Sequence, residues 1–295
     1  MQVKWLAELF FLAAIWGASF IFIRISIPEM GVFGVTFFRT AIAALFLGII
    51  LYATNKANIR KIFRYWGTLS LIALCGTAIP FSLWGFVSQF LASGTMAVLN
   101  AATPLFGTFV AYMWLKEPFH SNTIIGLILG FIGVCVMMLV PQEGIQLDTL
   151  AICLGLLASA CYGLSANITR AKAAGLSAMT VATGSQLYST LFIAPIAIYF
   201  MPETVPGFDA LISASVLGIV CTGYALYKYF QMIAEQGISK TLSVTYLIPL
   251  FAMLWGALFL GEPIEARTLL GGACILLGVA FTTGYFSFRR RAKRA

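Results

Sequence analysis

Two basic side chains and two amides stand inside long apolar runs of this 295-residue chain, and their types point to recognition rather than bond making. Lys228, in L-Y-K-Y-F (Leu226 to Phe230), is the one charge of a run from Leu211 to Ala234. On a helix it shares a face with Tyr224 at i−4 and Gln231 at i+3. Arg39 lies about 12 Å in from Gly31 at the helical rise per residue. Asn100 and Asn167 fall well inside their own runs. No Asp or Glu occupies the middle of an apolar run, so neither cation is expected to find an acid there, and a buried unpaired charge is costly. For Lys228 two readings stand: its four-carbon stem snorkels toward the near interface, or it lines a polar cavity and meets a carboxylate. Arg39 has a similar pair of readings, a bond to neighbouring helix ends or a source of positive potential in the cavity.

Catalysis needs groups that the chain does not assemble. Paired aspartates, a His/Glu metal set or a serine with a base would be required inside the membrane. The single histidine, His120, follows K-E-P-F in a connection, and the six cysteines form no C-x-x-C. The cysteines are expected to pack as small apolar residues. No catalytic residue, metal or cofactor is therefore expected, and the chain is predicted not to be an enzyme. Without a glycine-rich phosphate loop in a soluble segment, ATP-driven transport by this chain alone is excluded as well.

The elements that hold these residues follow from composition. The chain is 61% hydrophobic and 9% charged, against roughly a quarter charged in soluble domains, so it must be a polytopic membrane protein. A crossing takes about 20 apolar residues, and breaks at polar, Gly and Pro positions leave ten candidate spans: 5–25, 31–53, 67–90, 94–115, 121–140, 149–170, 178–200, 209–234, 239–260 and 267–288. Short links such as Leu91 to Gly94 and Gly237 to Lys240 leave no room for a soluble domain. Basic residues collect on one side of this arrangement, with Lys4, Lys56, Arg60, Lys61, Arg64, Lys116, Arg170, Lys172, Lys240 and the tail at 289–295, which predicts both termini in the cytoplasm. The net charge of +8 is thus explained by topology, and nucleic acid is not an expected partner. The expected partners are a small-molecule substrate and the lipid bilayer, with the chain a monomer or weak homodimer.

The two halves resemble each other. W-G-A-S-F-I-F-I-R (Trp16 to Arg24) lies over Y-G-L-S-A-N-I-T-R (Tyr162 to Arg170), and P-L-F-G-T-F-V-A-Y-M-W-L-K-E-P (Pro104 to Pro118) over P-L-F-A-M-L-W-G-A-L-F-L-G-E-P (Pro249 to Pro263). The first segment is thereby the counterpart of the sixth rather than a cleaved signal peptide. Five helices per copy is an odd number, so the copies enter the membrane from opposite faces, an arrangement used by many transporters. The fold expected is all-α and integral to the membrane, with ten transmembrane helices in two inverted five-helix repeats, residues 1–145 and 146–295.

W-G-x-S-F in the first helix, F-F-R in the second, and L-x-E-P with downstream glycines in the fifth and tenth resemble the drug/metabolite transporter superfamily, in its EamA-like branch. That resemblance covers essentially the whole chain. It implies an inner-membrane carrier, usually an exporter of amino acids or other metabolites, with a central cavity lined by helices one, three, four, six, eight and nine. The related small multidrug transporters place a glutamate in the first helix, where this chain has Ala13 and Ala14. That departure, with basic fixed charges, favours an amino acid or similar carboxylate-bearing zwitterion, the alternative being an exporter of drugs or organic cations.

The substrate-binding residues expected on this basis are Lys228, Trp84, Asn100, Asn167, Tyr162, Tyr224, Tyr246, Trp16, Ser19 and Arg39. Lys228 is taken as the repeat counterpart of Trp84, the two facing each other across the cavity, and Gln186 as that of Arg39. Pro104 and Pro249 fall inside helices four and nine and free the carbonyls of Asn100 and Thr245, which marks kinks for packing or for gating. Glu117-Pro118 and Glu262-Pro263 read as helix starts. Gly126, Gly130, Gly133, Gly271 and Gly278 permit close approach to a neighbouring helix or a second subunit.

Overall fold

Apolar runs of this length satisfy their own backbone in lipid only as helices. The computed structural model describes residues 2–90, 96, 99–117, 121–138, 149–202, 205–260 and 266–283, and these contain no β-strand. Pro118, His120, Glu262, Pro263, the Leu91 to Gly94 link and the tail at 289–295 lie outside them. In chain order the helices are α1 (Gln2–Thr54), α2 (Ala57–Arg64), α3 (Trp66–Ala73), α4 (Ile79–Val87), α5 (Thr103–Leu115), α6 (Ser121–Met138), α7 (Thr149–Lys172), α8 (Ala178–Tyr199), α9 (Phe208–Val216), α10 (Ala225–Gln236), α11 (Ile238–Leu242), α12 (Val244–Leu260) and α13 (Ala266–Thr283).

Seven stretches among the described residues are long and apolar enough to cross a membrane, with shorter apolar helices at Ser121–Gly133 and Leu269–Thr282. Two of the seven, Lys4–Ile23 and Ile25–Thr54, fall in α1, which is itself two helical arms joined at a kink. They meet near Gly31, whose φ of 64° and ψ of 171° are outside the helical region and are open to a residue without a Cβ. The outer surface carries Leu45, Ile49, Phe109, Leu258 and Phe259, all well exposed, as lipid contact requires.

The link between the second and third expected spans is itself a helix. In α2, Ile59, Ile62 and Phe63 recur at helical spacing, Ile62 is buried, and Arg60 and Arg64 are exposed, the pattern of a helix lying along an interface. The Tyr188 hydroxyl donates to the Ile62 carbonyl at 3.3 Å and ties it to α8.

Two spans carry a π-helical turn at the same place. Leu74–Ala78 joins α3 to α4, and Leu217–Tyr224 joins α9 to α10. In the first, Pro80 cannot donate to the Gly76 carbonyl four residues earlier, so the hydrogen-bond register slips. The second has no proline. There Gly218 and Gly223 let the turn pack on α1, since a Cβ at Gly218 would stand 2.6 Å from Ile42 and one at Gly223 3.1 Å from Phe46.

Glycines close the other contacts. A Cβ on Gly278 would lie 2.6 Å from the Gly130 nitrogen, and one on Gly133 2.6 Å from the Gly271 carbonyl. The expected small-residue faces are thus spent within the chain, on the α6–α13 seam. A Cβ on Gly163 would meet the Gly107 nitrogen at 2.6 Å, which brings α7 against α5.

Pro104 does not lie inside a long helix. It stands in the first turn of α5, after a turn at Ala101 and Ala102, where the missing N–H costs nothing. Pro249 does fall within α12.

Candidate substrate cavity

A cavity of about 660 Å3 opens between both arms of α1, the α3–α4 span, the start of α5, and α7, α10, α11 and α12. Six residues expected from sequence line it: Trp16, Ser19, Arg39, Trp84, Asn100 and Tyr162. Phe81, Tyr229, Phe230, Thr36, Ser165 and Thr245 also line it and were not in that set. The lining reaches Pro28, Val32 and Ser88 at the end of the bundle where the arms of α1 meet. Toward the other end Trp16 packs on Tyr229, ring centroids 5.5 Å apart, with Phe230 and Leu242 beside them.

Arg39 is the charged group of the described lining, 7% exposed. Its Nε donates to the Thr222 hydroxyl at 3.0 Å, and its guanidinium lies 3.9 Å over the centre of the Phe81 ring. Among the described residues no carboxylate comes within ion-pair distance of it. The hydroxyl holds the Nε edge of the planar fork and the ring supports its face, which leaves the terminal N–H groups without a partner among the described residues. A carboxylate or similar planar anion matches that edge with two parallel hydrogen bonds.

The second repeat builds the same contact without the charge. Gln186 in α8 donates from Nε2 to the Thr77 hydroxyl at 3.1 Å. Thr77 and Thr222 stand in the two π turns, 145 positions apart. The same offset pairs Phe81 with Leu226, Trp84 with Tyr229 and Gly85 with Phe230, and all six line the cavity. The counterpart of Trp84 is therefore Tyr229, not Lys228. One residue of register turns a helical side chain by about 100°, which carries Lys228 off the wall.

Lys228 meets an acid after all. Its Nζ lies 3.3 Å from the Glu8 carboxylate and 3.4 Å from the Gln231 side-chain Oε1, both outside the cavity lining. Glu8 lies just inside α1, and the lysine stem runs to it, as a snorkelling chain does. Tyr224 sits on the same outer face, its ring centroid 6.2 Å from that of Phe11 in an edge-to-face contact, and Phe11 is 55% exposed. Replacing Lys228 with methionine is expected to change substrate affinity by less than about twofold, the effect of a substitution away from the site. Binding titration of the variant in nanodiscs checks this.

Asn167 and Tyr246 serve the framework. The Asn167 amide donates to Gly107 O at 2.9 Å and Gly163 O at 2.8 Å, across the α5–α7 contact. Tyr246 is fully buried, its hydroxyl donates to Leu127 O at 3.1 Å, and Gly130 packs on its ring. Trp16 spans both roles: it lines the cavity, and its indole N–H donates at 3.0 Å to Cys221 O, a carbonyl in the second π turn.

Comparison with known proteins gives this architecture a place. The chain is 26% identical over 286 residues to a probable terminal-alkyne amino-acid exporter of Streptantibioticus cattleyicolor, covering 94% of this chain and 92% of that protein. It is 20% identical over 280 residues to an uncharacterized transporter of Archaeoglobus fulgidus, covering 94% and 97%. The uncharacterized transporter YoaV of Bacillus subtilis is 23% identical over 299 residues, with 98% and 99% covered. A solved crystal structure superposes with a TM-score of 0.80 at 15% identity, over 94% of this chain and 96% of that one, and so shares the fold. The family model for EamA-like transporters matches twice, at residues 4–139 and 149–284. The chain is a multi-pass membrane transporter of two repeats, and it belongs to the EamA-like transporter family.

Proposed function

We propose that the protein is a secondary transporter that exports a small carboxylate-bearing metabolite, an amino acid or similar zwitterion, by alternating access. The observation that carries this reading is Arg39, buried on the cavity wall without an acidic partner among the described residues. An unpaired buried guanidinium is expensive, and a substrate carboxylate relieves that cost on binding. Trp16, Phe81, Trp84, Tyr162 and Tyr229 supply apolar and ring faces for the body of the substrate, and the amino-acid exporter among the relatives agrees with this class.

The topology proposed is ten spans in two inverted five-helix repeats, residues 1–145 and 146–295, in the inner membrane with both termini cytoplasmic. The chain acts as a monomer or weak homodimer and carries its solute unchanged. With that orientation the Pro28, Val32 and Ser88 end of the cavity faces outward and the Trp16, Tyr229, Phe230 and Leu242 end faces the cytoplasm. Rocking of one repeat against the other exposes Arg39 to the opposite face. Counterflow in proteoliposomes, with a panel of amino acids, organic anions and quaternary amines, tests the reading. Saturable carboxylate exchange supports it, and exchange confined to the amines supports an exporter of drugs or organic cations instead.

A further inference from the structure

The cavity hydroxyls have a fixed polarity that bears on how the rest of the substrate is read. Ser19 bonds Trp16 O at 2.6 Å, Thr36 bonds Val32 O at 2.8 Å, Ser88 bonds Gly85 O at 2.7 Å and Thr245 bonds Leu242 O at 2.9 Å. A carbonyl oxygen can only accept, so in each case the hydroxyl proton is committed to the helix. What these four side chains turn toward the cavity is lone pairs. Trp84 adds an indole N–H, while Asn100, Tyr162 and Tyr229 can serve in either role. The described lining therefore has one fixed cluster of charged donors, at Arg39, a neutral donor at Trp84, a set of fixed neutral acceptors at Ser19, Thr36, Ser88 and Thr245, and no carboxylate among its members.

We infer that the site reads its substrate as a carboxylate plus a hydrogen-bond donor, and does not require that donor to be charged. The inference rests on the carboxylate reading above and narrows it. A 2-ammonium group would be held by hydroxyl lone pairs and ring faces rather than by a counter-ion. A 2-hydroxyl can donate to the same oxygens, so 2-hydroxy acids are substrates alongside amino acids. At these four hydroxyls a 2-oxo acid presents only acceptors to acceptors, and an amine without the carboxylate leaves Arg39 unmatched.

Displacement binding to the full-length protein in nanodiscs tests this with two series. One consists of phenylalanine, 3-phenyllactate, phenylpyruvate and phenethylamine, the other of leucine and its 2-hydroxy, 2-oxo and decarboxylated analogues. The hydroxy acid is expected within about threefold of the amino acid, and the oxo acid about fivefold to tenfold weaker, the worth of one neutral hydrogen bond. The amine should not compete. The double variant Ser19→Ala, Thr245→Val should weaken the amino and hydroxy acids while leaving the oxo acid unchanged, whereas structural damage would lower all three together. A hydroxy acid more than about thirtyfold weaker than its amino acid, or an oxo acid equal to the hydroxy acid, overturns the inference and leaves the carboxylate reading standing. Competition by the amines alone, or by no member of either series, removes that reading and this inference with it.

Discussion

Replacing Arg39 with glutamine is expected to weaken carboxylate binding by roughly tenfold to a hundredfold, since hydrogen bonds to a charged group contribute about 1.5–3 kcal/mol. The affinity falls because the forked edge left open by the Thr222 bond and the Phe81 stack is lost. Arg39→Lys keeps the charge but neither the fork nor the planar face, so it should fall between wild type and glutamine. Stability should move the other way. The guanidinium is 7% exposed and has no acidic partner among the described residues, so removing it relieves a desolvation cost. A binding titration and a thermal unfolding curve on the same preparations separate the two effects. Affinity lost with the midpoint unchanged or raised supports a ligand role, whereas affinity and midpoint falling together would make Arg39 a framework residue.

Gly278→Ala should be among the most damaging single-methyl changes in the chain. The new Cβ would stand 2.6 Å from Gly130 N, 2.7 Å from Gly126 O and 2.9 Å from Gly130 Cα. All three are backbone atoms of α6, so no rotamer change can make room. The α6–α13 pair must separate, at a cost of about 1–3 kcal/mol or more for overpacking. Gly175→Ala is the matched control, because nothing lies within 4 Å of its Cβ position. Thermal unfolding in detergent should show a clear drop for the first and little change for the second. Equal midpoints would mean that the seam is looser than its glycines imply.

What could be read from the letters alone was governed by contrast. Arg39 stands out because a charge in an apolar run is rare and costly, and it lines the cavity. The doubling of the two halves was visible in aligned glycines and prolines, and the family match falls in two blocks. Tyr229 was missed for a geometric reason. Pairing Lys228 with Trp84 is one residue out of the register shared by the two π turns, and one residue on a helix selects a different face. The π turns were hidden too, as their register slip leaves only Pro80 and two glycines as a trace. Glu8 does not stand out as a partner for Lys228 because it lies near the start of its span, within reach only of a long side chain. Asn167 looked like a cavity amide since a polar group inside a span can bind a ligand or tie helices, and only its carbonyl partners decide between them.

The most direct test of the account is a structure with ligand bound, using 4-bromophenylalanine so that the ring is located by the anomalous signal of bromine. The carboxylate is predicted at about 2.7–2.9 Å from the terminal nitrogens of Arg39, the distance of a charge-assisted hydrogen bond, with the bromine among Trp16, Trp84 and Tyr229. A carboxylate placed instead beside Lys228 and Glu8, or a ligand in the cavity with its carboxylate turned away from Arg39, would contradict it.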